Sequence, residues 1–407
     1  MRHISGAVLV AAVSACGDDT PATQPRQEQA NQVEVRYEVV RLPTLGGTES
    51  RGMAINEQGW VAGWSQRTDG TRRAVLWQGQ SASLLGTLDG PSSTVPWPGL
   101  NDAGMIVGIS HTDLVDPLNE DWACEFAGFL PNDTNLLCRG FVWENNLMRE
   151  LPGLGGNHSF AAGVNNLGQI AGWAETLVED ETCNEEEAQV LQYRAVLWEP
   201  KSGSSGRIKT TELHPLGDDA TSAATAINDQ GQAVGISGDC DQAVGRLSAR
   251  HAVRRDKNGK ATEIPNLGGT AWHTPMDINE QGDVVGFSNP DEDGDPEFIA
   301  RGFLWTPGAA EATDLGTLDD DPLSEAFAIN AQGQVVGISF GDLVRGPRAF
   351  LYENGELIDL NHLVDIGPDT LLSAQDINDA GQITGRVRDG VSREVVAFVA
   401  TPVSGQP

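Results

Sequence analysis

Seven close copies of one thirteen-residue segment constrain this chain more than any other feature of its sequence. The copies read MAINEQGWVAGWS, PGLNDAGMIVGIS, AGVNNLGQIAGWA, TAINDQGQAVGIS, MDINEQGDVVGFS, FAINAQGQVVGIS and QDINDAGQITGRV. Their anchoring residues are Asn56, Asn101, Asn165, Asn228, Asn279, Asn330 and Asn378, which number the repeats 1 to 7 here. Their spacing of 45 to 64 residues is typical of repeat architectures, so the fold must be built from one recurring unit.

Each repeat carries the pattern of four short strands. Two of them flank the Asn-x-x-Gly turn, in which glycine supplies a positive φ, so we interpret these asparagines and glycines as turn residues rather than catalytic groups. A third strand, such as RRAVLW at 72–77, has the apolar and aromatic pattern of a strand packed on both faces. A fourth, such as MRELPGL at 148–154, follows a short turn. Four antiparallel strands in meander order are one blade of a β-propeller.

The number of strands predicts how the chain closes. Seven hairpins and seven third strands are followed by only six fourth strands, but residues 38–47 match the fourth-strand pattern at 147–156. An N-terminal strand that completes the C-terminal blade leaves no exposed sheet edge. We therefore predict an all-β fold over residues 35–402: a seven-bladed β-propeller of four-stranded antiparallel blades, with a short tail at 403–407.

These motifs carry a family resemblance. Leu-Gly-x-Leu-Gly-Gly, then Ala-Ile-Asn-x-x-Gly-x-Val-x-Gly-x-Ser, then Arg-x-Ala-Phe-Leu-Trp resembles the extracellular HAF repeat family of bacterial exported proteins, over residues 38–400. The His-Ala-Phe motif itself survives only as His251-Ala252-Val253. The resemblance implies an exported β-rich repeat protein and no defined biochemical activity.

The N-terminal segment indicates export. Residues 1–16 combine a positive start with an apolar stretch too short to span a bilayer, and Val13-Ser14-Ala15-Cys16 resembles the lipobox of bacterial lipoproteins, whose cysteine is lipidated. A signal peptide cut elsewhere is the alternative. Residues 17–34 have the composition of a flexible tether. We expect an outer-membrane or cell-surface lipoprotein, or alternatively a periplasmic one, that contacts membrane only through its lipid and is a monomer.

The cysteine content predicts disulfides, and the net charge limits the classes of partner that the chain can bind. The remaining cysteines are even in number, and in an exported protein they predict two disulfides, most simply Cys124–Cys138 and Cys183–Cys240. A formal net charge of −32 excludes general affinity for nucleic acid, and it favours cations, basic partners or a saline medium.

Four insertions after the second strand of repeats 2 to 5 predict where ligands bind: 111–137, 175–192, 238–248 and 289–299. Variable loops on one face of a repeat scaffold usually form its binding face. Within one insertion, Asp291, Asp293 and Asp295 resemble the start of a calcium loop, although Gly302 stands where an EF-hand has glutamate. Calcium is thus one interpretation and a solvated acidic loop without any cofactor is the other.

Aromatic and imidazole groups near the predicted channel mouth suggest a binding cluster of Trp97, His158, Trp272 and His273, able to stack on a sugar or peptide. No nucleophile elbow, zinc-protease, P-loop or dinucleotide motif occurs. We therefore expect a binding module for an unidentified glycan or protein. A propeller enzyme, a hydrolase or lyase acting on glycans through the acidic and aromatic loop face, is the alternative.

Overall fold

A computed structural model describes residues 36–120, 130, 134–183, 189–200, 208–240, 249–270, 272–290, 299–341 and 345–403. Contacts separate Val33–Pro407, one compact unit, from Met1–Gln32, which lies outside the described residues. The described residues are all-β, and their helical segments are two short 3-10 turns at Leu318–Asp320 and Leu360–Leu363. The predicted signal peptide, tether and Cys16 are therefore not described.

Every repeat forms a meander in which consecutive strands pair antiparallel. The strands are, in repeat 1, β2 (Gly46–Ile55), β3 (Val61–Arg67), β4 (Arg72–Gln78) and β5 (Ser81–Leu84); in repeat 2, β6 (Ser93–Thr94), β7 (Ile106–Val115), β8 (Leu136–Glu144) and β9 (Leu147–Glu150); in repeat 3, β10 (Ser159–Val164), β11 (Ile170–Glu179), β12 (Leu191–Pro200) and β13 (Ile208–Leu213); in repeat 4, β14 (Thr221–Ile227), β15 (Ala233–Gly238), β16 (Ala249–Arg255) and β17 (Ala261–Ile264); in repeat 5, β18 (Thr274–Ile278), β19 (Val284–Ser288), β20 (Arg301–Trp305) and β21 (Thr313–Asp314); in repeat 6, β22 (Leu323–Ile329), β23 (Val335–Phe340), β24 (Pro347–Glu353) and β25 (Glu356–Asp359); and in repeat 7, β26 (Thr370–Ile377), β27 (Ile383–Arg388) and β28 (Val395–Pro402). Successive four-stranded antiparallel meanders are the architecture of a β-propeller.

The N-terminal strand β1 (Tyr37–Arg41) pairs antiparallel with β28, and its register runs from Tyr37 opposite Pro402 to Arg41 opposite Phe398. It is shorter than the strand predicted at 38–47, because Gly46 and Gly47 already belong to β2. One parallel pair, Glu49 with Val395, links β2 to β28, so repeats 1 and 7 share an eight-stranded sheet while repeats 2 to 6 each form a four-stranded one.

The recurring glycine of the second strand is explained by a bulge in the first strand. In repeat 4 the register shifts between Ala224 and Ala226, and a Cβ added at Gly235 would lie 1.9 Å from the carbonyl oxygen of Ala223. A side chain at that position would force the two strands apart. The equivalent glycines, Gly63, Gly108, Gly172, Gly286, Gly337 and Gly385, would each clash in the same way.

The turn asparagines act within and between repeats. In repeat 4, Asn228 Oδ1 accepts the N–H of Gln232 at 3.0 Å, and Gly231 closes the turn with a φ of 74°. The predicted turn chemistry is therefore present. In addition, Asn228 Nδ2 donates to the carbonyl of Asn279 in the next repeat at 3.0 Å. The same bond recurs from Asn56 to Asn101, Asn101 to Asn165, Asn165 to Asn228, Asn279 to Asn330, Asn330 to Asn378 and Asn378 to Asn56.

Candidate functional site

The insertions of repeats 2 and 3 prolong their hairpins beyond the regular strand length. β7 pairs with β8 as far as Val115 and Leu136, and β11 pairs with β12 as far as Glu179 and Leu191. Each pairing contains an irregularity in the extended part. These two extended hairpins lie on the side of the sheets opposite the asparagine turns, where the sequence predicts the binding face.

A buried cluster of three carboxylates and one imidazole joins the two extended hairpins; its members are Asp116, Glu120, His158 and Glu175. Glu120 Oε1 accepts the N–H groups of Val190 at 2.9 Å and Leu191 at 2.7 Å, so a side chain from repeat 2 holds the start of β12 in repeat 3. Glu175 Oε2 accepts the N–H of His158 at 2.7 Å. The cluster thus links the extended hairpins of repeats 2 and 3 through side chains.

A contact between Asp116 and His158 forms the second link between repeats 2 and 3. His158 Nε2 lies 3.3 Å from Asp116 Oδ2, and Asp116 also accepts the N–H groups of Leu118 and Glu120. Burial acts to raise the pKa of Asp116, but these hydrogen bonds outweigh it and lower the pKa. Burial raises the pKa of Glu175.

The protonation of His158 follows from its two contacts. Burial lowers its pKa, but the hydrogen bond to Asp116 and the neighbouring carboxylate charges outweigh burial and raise it. The N–H of Cys138 points at His158 Nδ1 over 3.2 Å and can only donate, so Nδ1 must accept. If Nδ1 also carried a proton, that N–H would face the N–H of Cys138, and neither donor would have an acceptor. We therefore assign the ring proton to Nε2, directed at Asp116.

The position of the His158 ring proton affects whether the cluster can bind a metal ion. Among the described residues, one ligand atom each of Asp116, Glu120 and His158 lies within 4.8 Å of the others, which is close enough to surround an ion. However, Nε2 is the nitrogen nearest the carboxylates, and it carries the proton because Nδ1 is an acceptor. The residues present therefore fit a hydrogen-bonded cross-link better than a metal centre. The predicted calcium ligands Asp291, Asp293 and Asp295 lie outside the described residues.

A disulfide extends this linked surface to repeat 4. Cys183, after β11, is bonded to Cys240, after β15, with an S–S distance of 2.03 Å, and Cys240 N donates to Thr182 Oγ1 at 2.6 Å. Cys138 is also disulfide-bonded, whereas Cys124, the partner expected from the sequence, lies outside the described residues. Three consecutive insertions are therefore cross-linked to one another.

The segments that supply the buried carboxylates also expose aliphatic side chains. Leu114, Val115 and Leu118 flank Asp116, and Leu177 and Val178 follow Glu175. Leu177 is 78% exposed and Val115 63% exposed. We name these five aliphatic residues the hairpin patch. Exposed aliphatic groups on ordered loops are characteristic of protein interaction sites.

The four residues predicted as a binding cluster do not form an exposed site. Trp97 is 2%, His158 2% and His273 1% exposed, and Trp272, with a φ of 60°, packs against the same core. Trp97 makes edge-on contacts with Phe160 at 5.5 Å and Trp173 at 6.2 Å between ring centres.

His273 instead has a structural role. His273 Nε2 donates to the carbonyl of Ile264 at 2.9 Å, as Ser222 Oγ does to Leu213 in repeat 4 at 3.2 Å. Burial lowers the pKa of His273 to about 4, so the ring is neutral. His273 is 1% exposed because it packs against Ile264 of repeat 4 and Phe303 of its own repeat, so its ring offers no exposed face for stacking.

Two ionisable residues between the first strands were not predicted from the sequence. Asp277 and Asp376 stand two residues before the turn asparagine, where the other repeats have alanine or glycine, and that contrast was the available signal. Asp376 Oδ2 accepts the N–H of Ile55 at 2.7 Å, and Asp277 Oδ2 accepts that of Ile329 at 2.9 Å, so each links its repeat to the next. Burial raises the pKa of Asp277 to about 6. Burial and the charge of Asp277 raise the pKa of Asp376 to about 8.

A half-buried carboxyl, Glu325, and a half-buried arginine, Arg51, also lie between the first strands. Burial raises the pKa of Glu325 to about 7, although the positive charges of Arg51 and Arg386 oppose this rise. Arg51 Nη2 donates to Gln375 Oε1 at 2.8 Å. Asp277 and the seven turn asparagines line an opening of about 270 Å³. The asparagines and the two aspartates join repeats to one another through hydrogen bonds.

Comparison with known proteins adds little to this geometry. Residues 157–319 match the model of a family described as a protein of unknown function, DUF3466. That match covers less than half of the chain. No curated protein sequence matches the chain significantly.

Solved structures of β-propellers share a weak likeness with the chain. The Trypanosoma rangeli sialidase in complex with sialic acid has 11% identity and a TM-score of 0.42, over 91% of this chain but only 60% of the sialidase. The β-propeller domain of the Trilobed protease from Pyrococcus furiosus has 10% identity and a TM-score of 0.39, over 74% of this chain and 80% of that domain. TolB from Acinetobacter baumannii has 10% identity and a TM-score of 0.37, over 85% of this chain and 80% of TolB. Likenesses this weak carry no argument about function.

In the parts of the chain that the structure describes, no helix has the length and apolar character of a transmembrane span.

Proposed function

We propose that this chain is a seven-bladed β-propeller that binds a protein partner at the bacterial cell envelope through the hairpin patch. The blade number is supported by seven four-stranded groups, the last of which obtains its fourth strand from β1. Closure is supported by the cycle of asparagine bonds, which returns from Asn378 to Asn56 at 2.9 Å.

The cross-linked insertions carry the proposal of a binding role. An interface gains affinity when its loops are already ordered, because less conformational entropy is lost on association. Here the buried carboxylates fix the extended hairpin of repeat 2 to that of repeat 3, and the Cys183–Cys240 disulfide fixes repeat 3 to repeat 4. The five aliphatic side chains of the hairpin patch are exposed on this rigid support.

A protein partner fits this surface better than a glycan. Sugar recognition commonly uses exposed aromatic faces, whereas Trp97 and the two histidines expected at this site are buried. Exposed aliphatic side chains on ordered loops instead favour a protein partner. The burial of Trp97 also gives less support to the glycan-processing alternative than to a protein-binding role.

Export and anchoring belong to the same proposal. The sequence Val13-Ser14-Ala15-Cys16 supports lipidation at Cys16, and the resemblance to the HAF repeat family supports an extracellular location. The disulfides agree with an oxidising compartment.

Site-specific photo-crosslinking in the native cell envelope tests the partner-binding role. A photoreactive amino acid replaces Leu118 or Leu177 in the hairpin patch, and matched control chains carry it at Leu147 or Leu167, which are exposed on the turn side. We expect one common protein adduct from positions 118 and 177 and none from 147 and 167. Absence of an adduct at both patch positions, or equal labelling at all four positions, would refute the proposed surface.

A further inference from the structure

Repeat 4 places an arginine where five of the other repeats place an aromatic ring and repeat 7 places Ala400. Arg255 ends β16 and pairs with Ala233 on β15. The ring at this position belongs to Trp77, Trp143, Trp198, Trp305 and Tyr352, opposite valine or isoleucine. The smaller Ala233 leaves room for a long side chain. Arg255 therefore replaces the aromatic residue while the strand register around it stays the same.

Arg255 reproduces the hydrogen bond of the ring that it replaces. Trp77 Nε1 donates to the carbonyl of Pro43 and Trp198 Nε1 to that of Pro152, each at 2.8 Å. Arg255 Nη2 donates at 2.6 Å to the carbonyl of His214, which holds the equivalent position before repeat 4. This contact gives one N–H group of Arg255 a partner. It does not neutralise the positive charge of the guanidinium.

The guanidinium charge of Arg255 is not neutralised within the described residues. The residue is 2% exposed, it forms no ion pair there, and its Nε has no hydrogen-bond partner there. Burial alone lowers the pKa of Arg255 to about 10, so the group stays charged at neutral pH. A buried, uncompensated charge is costly, and this cost is recovered if an anion from outside completes the site.

Arg255 lines a groove of about 480 Å³ between repeats 3 and 4, on the side of the asparagine turns. Lys209 and Lys257 line the same groove, together with Thr211, whose buried Oγ1 has no partner among the described residues. All four lysines of the chain, Lys201, Lys209, Lys257 and Lys260, fall within this short stretch of the sequence. In a chain of net charge −32, two of the four lysines line this one groove.

The acidic residues of the groove already have partners of their own. Glu199 accepts from Lys209 Nζ at 2.6 Å, and Glu212 lies 3.4 Å from Arg194. The carboxylate of Asp256 accepts the N–H groups of its own turn. None of the three carboxylates is hydrogen-bonded to Arg255 in the described structure.

We propose that this groove binds a small organic oxyanion, a carboxylate or phosphate carried by a sugar-sized molecule. The guanidinium group of Arg255 suits planar recognition of two oxygens, Thr211 carries a hydroxyl without a partner among the described residues, and Lys257 supplies additional charge. The groove volume exceeds that of a bare inorganic ion and falls in the range of small-molecule sites. The site is independent of the hairpin patch, which lies on the opposite side of the sheets.

Titration calorimetry with glucose 1-phosphate, glucuronate, inorganic phosphate and neutral glucose tests the proposal. We expect the two organic anions to bind, inorganic phosphate to bind more weakly, and glucose not to bind. Arg255→Trp installs the ring found in most other repeats, so the variant should fold and keep a donor for the His214 carbonyl while anion affinity falls at least tenfold. Thr211→Val provides a second variant that leaves the charge unchanged, and it should also weaken binding.

Lys260→Gln is the matched control, because it removes one charge from the same turn without lining the groove. It should change affinity less than twofold. The proposal is overturned if no anion binds the intact chain at 10-millimolar levels (about the weakest affinity worth assigning to a site). It is equally overturned if Lys260→Gln weakens binding as much as Arg255→Trp, since net charge alone would then explain the effect.

Discussion

Asn228 shows how one side chain serves both a turn and the junction between two repeats. Its Oδ1 accepts the N–H of Gln232 while its Nδ2 donates to the carbonyl of Asn279. Aspartate, common in turns for the same reason, could replace the first contact but not the second, because a carboxylate has no donor at neutral pH. The requirement for an amide therefore comes from the neighbouring repeat.

Asn228→Asp should destabilise the fold by about 1 to 3 kcal/mol, the usual range for a buried hydrogen bond exchanged for an unsatisfied group. Urea unfolding at neutral pH measures the change. Asn146→Asp makes the same chemical replacement in an exposed turn and should change stability by less than about 0.5 kcal/mol. Equal losses in the two variants would contradict a role for Asn228 between repeats.

The Asp376 carboxyl should make stability depend on pH. Its pKa rises from 3.8 to about 8 on folding, because burial and the charge of Asp277 disfavour ionisation. The folded state therefore holds its proton to a higher pH than the unfolded state, and the free energy of unfolding falls as pH rises from about 4 to about 8.

Asp376→Ala, which installs the alanine of repeats 1, 4 and 6, should flatten this dependence. The expected change in slope approaches about 1.4 kcal/mol per pH unit within that window. Unfolding by urea at pH 5, 6.5 and 8 measures it. Asp379→Ala, an exposed carboxylate of the same turn, is the control, and a variant slope equal to that of the intact chain would argue against the raised pKa.

At the scale of elements, the extended hairpins of repeats 2 and 3 are joined by side chains rather than by strand pairing. Glu120 holds the N–H groups of Val190 and Leu191, which open β12. Removing its carboxylate leaves two backbone donors without an acceptor in a buried position. The order of the hairpin patch therefore depends on a residue that is not part of it.

Glu120→Ala should accelerate amide exchange at Val190 and Leu191 by tenfold or more, which corresponds to a loss of about 1.4 kcal/mol or more in local stability. Hydrogen–deuterium exchange read by mass spectrometry measures this effect. Glu179→Ala removes an exposed carboxylate from the end of β11 and should leave both amides unchanged. Unaltered exchange in Glu120→Ala would disprove the link.

Strands and turns could be predicted from the sequence because their signals are local. The Asn-x-x-Gly turn, the alternation around it and the aromatic end of the third strand each lie within one repeat. The burial of Trp97 and His158 could not be predicted, since the residues that contact them are far apart in the sequence: Phe160 and Trp173 pack against Trp97, and Asp116 contacts His158. The hydrogen bonds of Glu120 were hidden for the same reason: their acceptor and donors are about 70 residues apart.

At the scale of the whole molecule, β1 joins the beginning of the described chain to its end. Tyr37 is buried among Leu363, Val364 and Phe398, and burial raises the pKa of its hydroxyl to about 12. The main-chain bond from Val403 N to the Arg36 carbonyl, at 2.9 Å, continues the pairing beyond β28. Repeat 7 therefore depends on residues that precede repeat 1.

Deletion of residues 36–41 should cause aggregation or rapid proteolysis of repeat 7. It uncovers β28 and the apolar side chains beneath Tyr37, at a cost of several kcal/mol if about 25 cal/mol applies to each Å² of apolar surface. Limited proteolysis and thermal unfolding measure the loss. Deletion of residues 17–34 should change little. Moving β1 behind β28 through a short turn should restore folding, and a stable deletion variant would refute closure by this strand.

The contacts between asparagine turns also affect how repeats can be gained or lost during evolution. Each repeat recognises its neighbour through the same few atoms, a side-chain amide on one side and a main-chain carbonyl on the other. An in-frame duplication or loss of one unit would carry both of these joints with it, so the asparagine contact would form again at each new junction. Chains with different numbers of units therefore lie one recombination event apart.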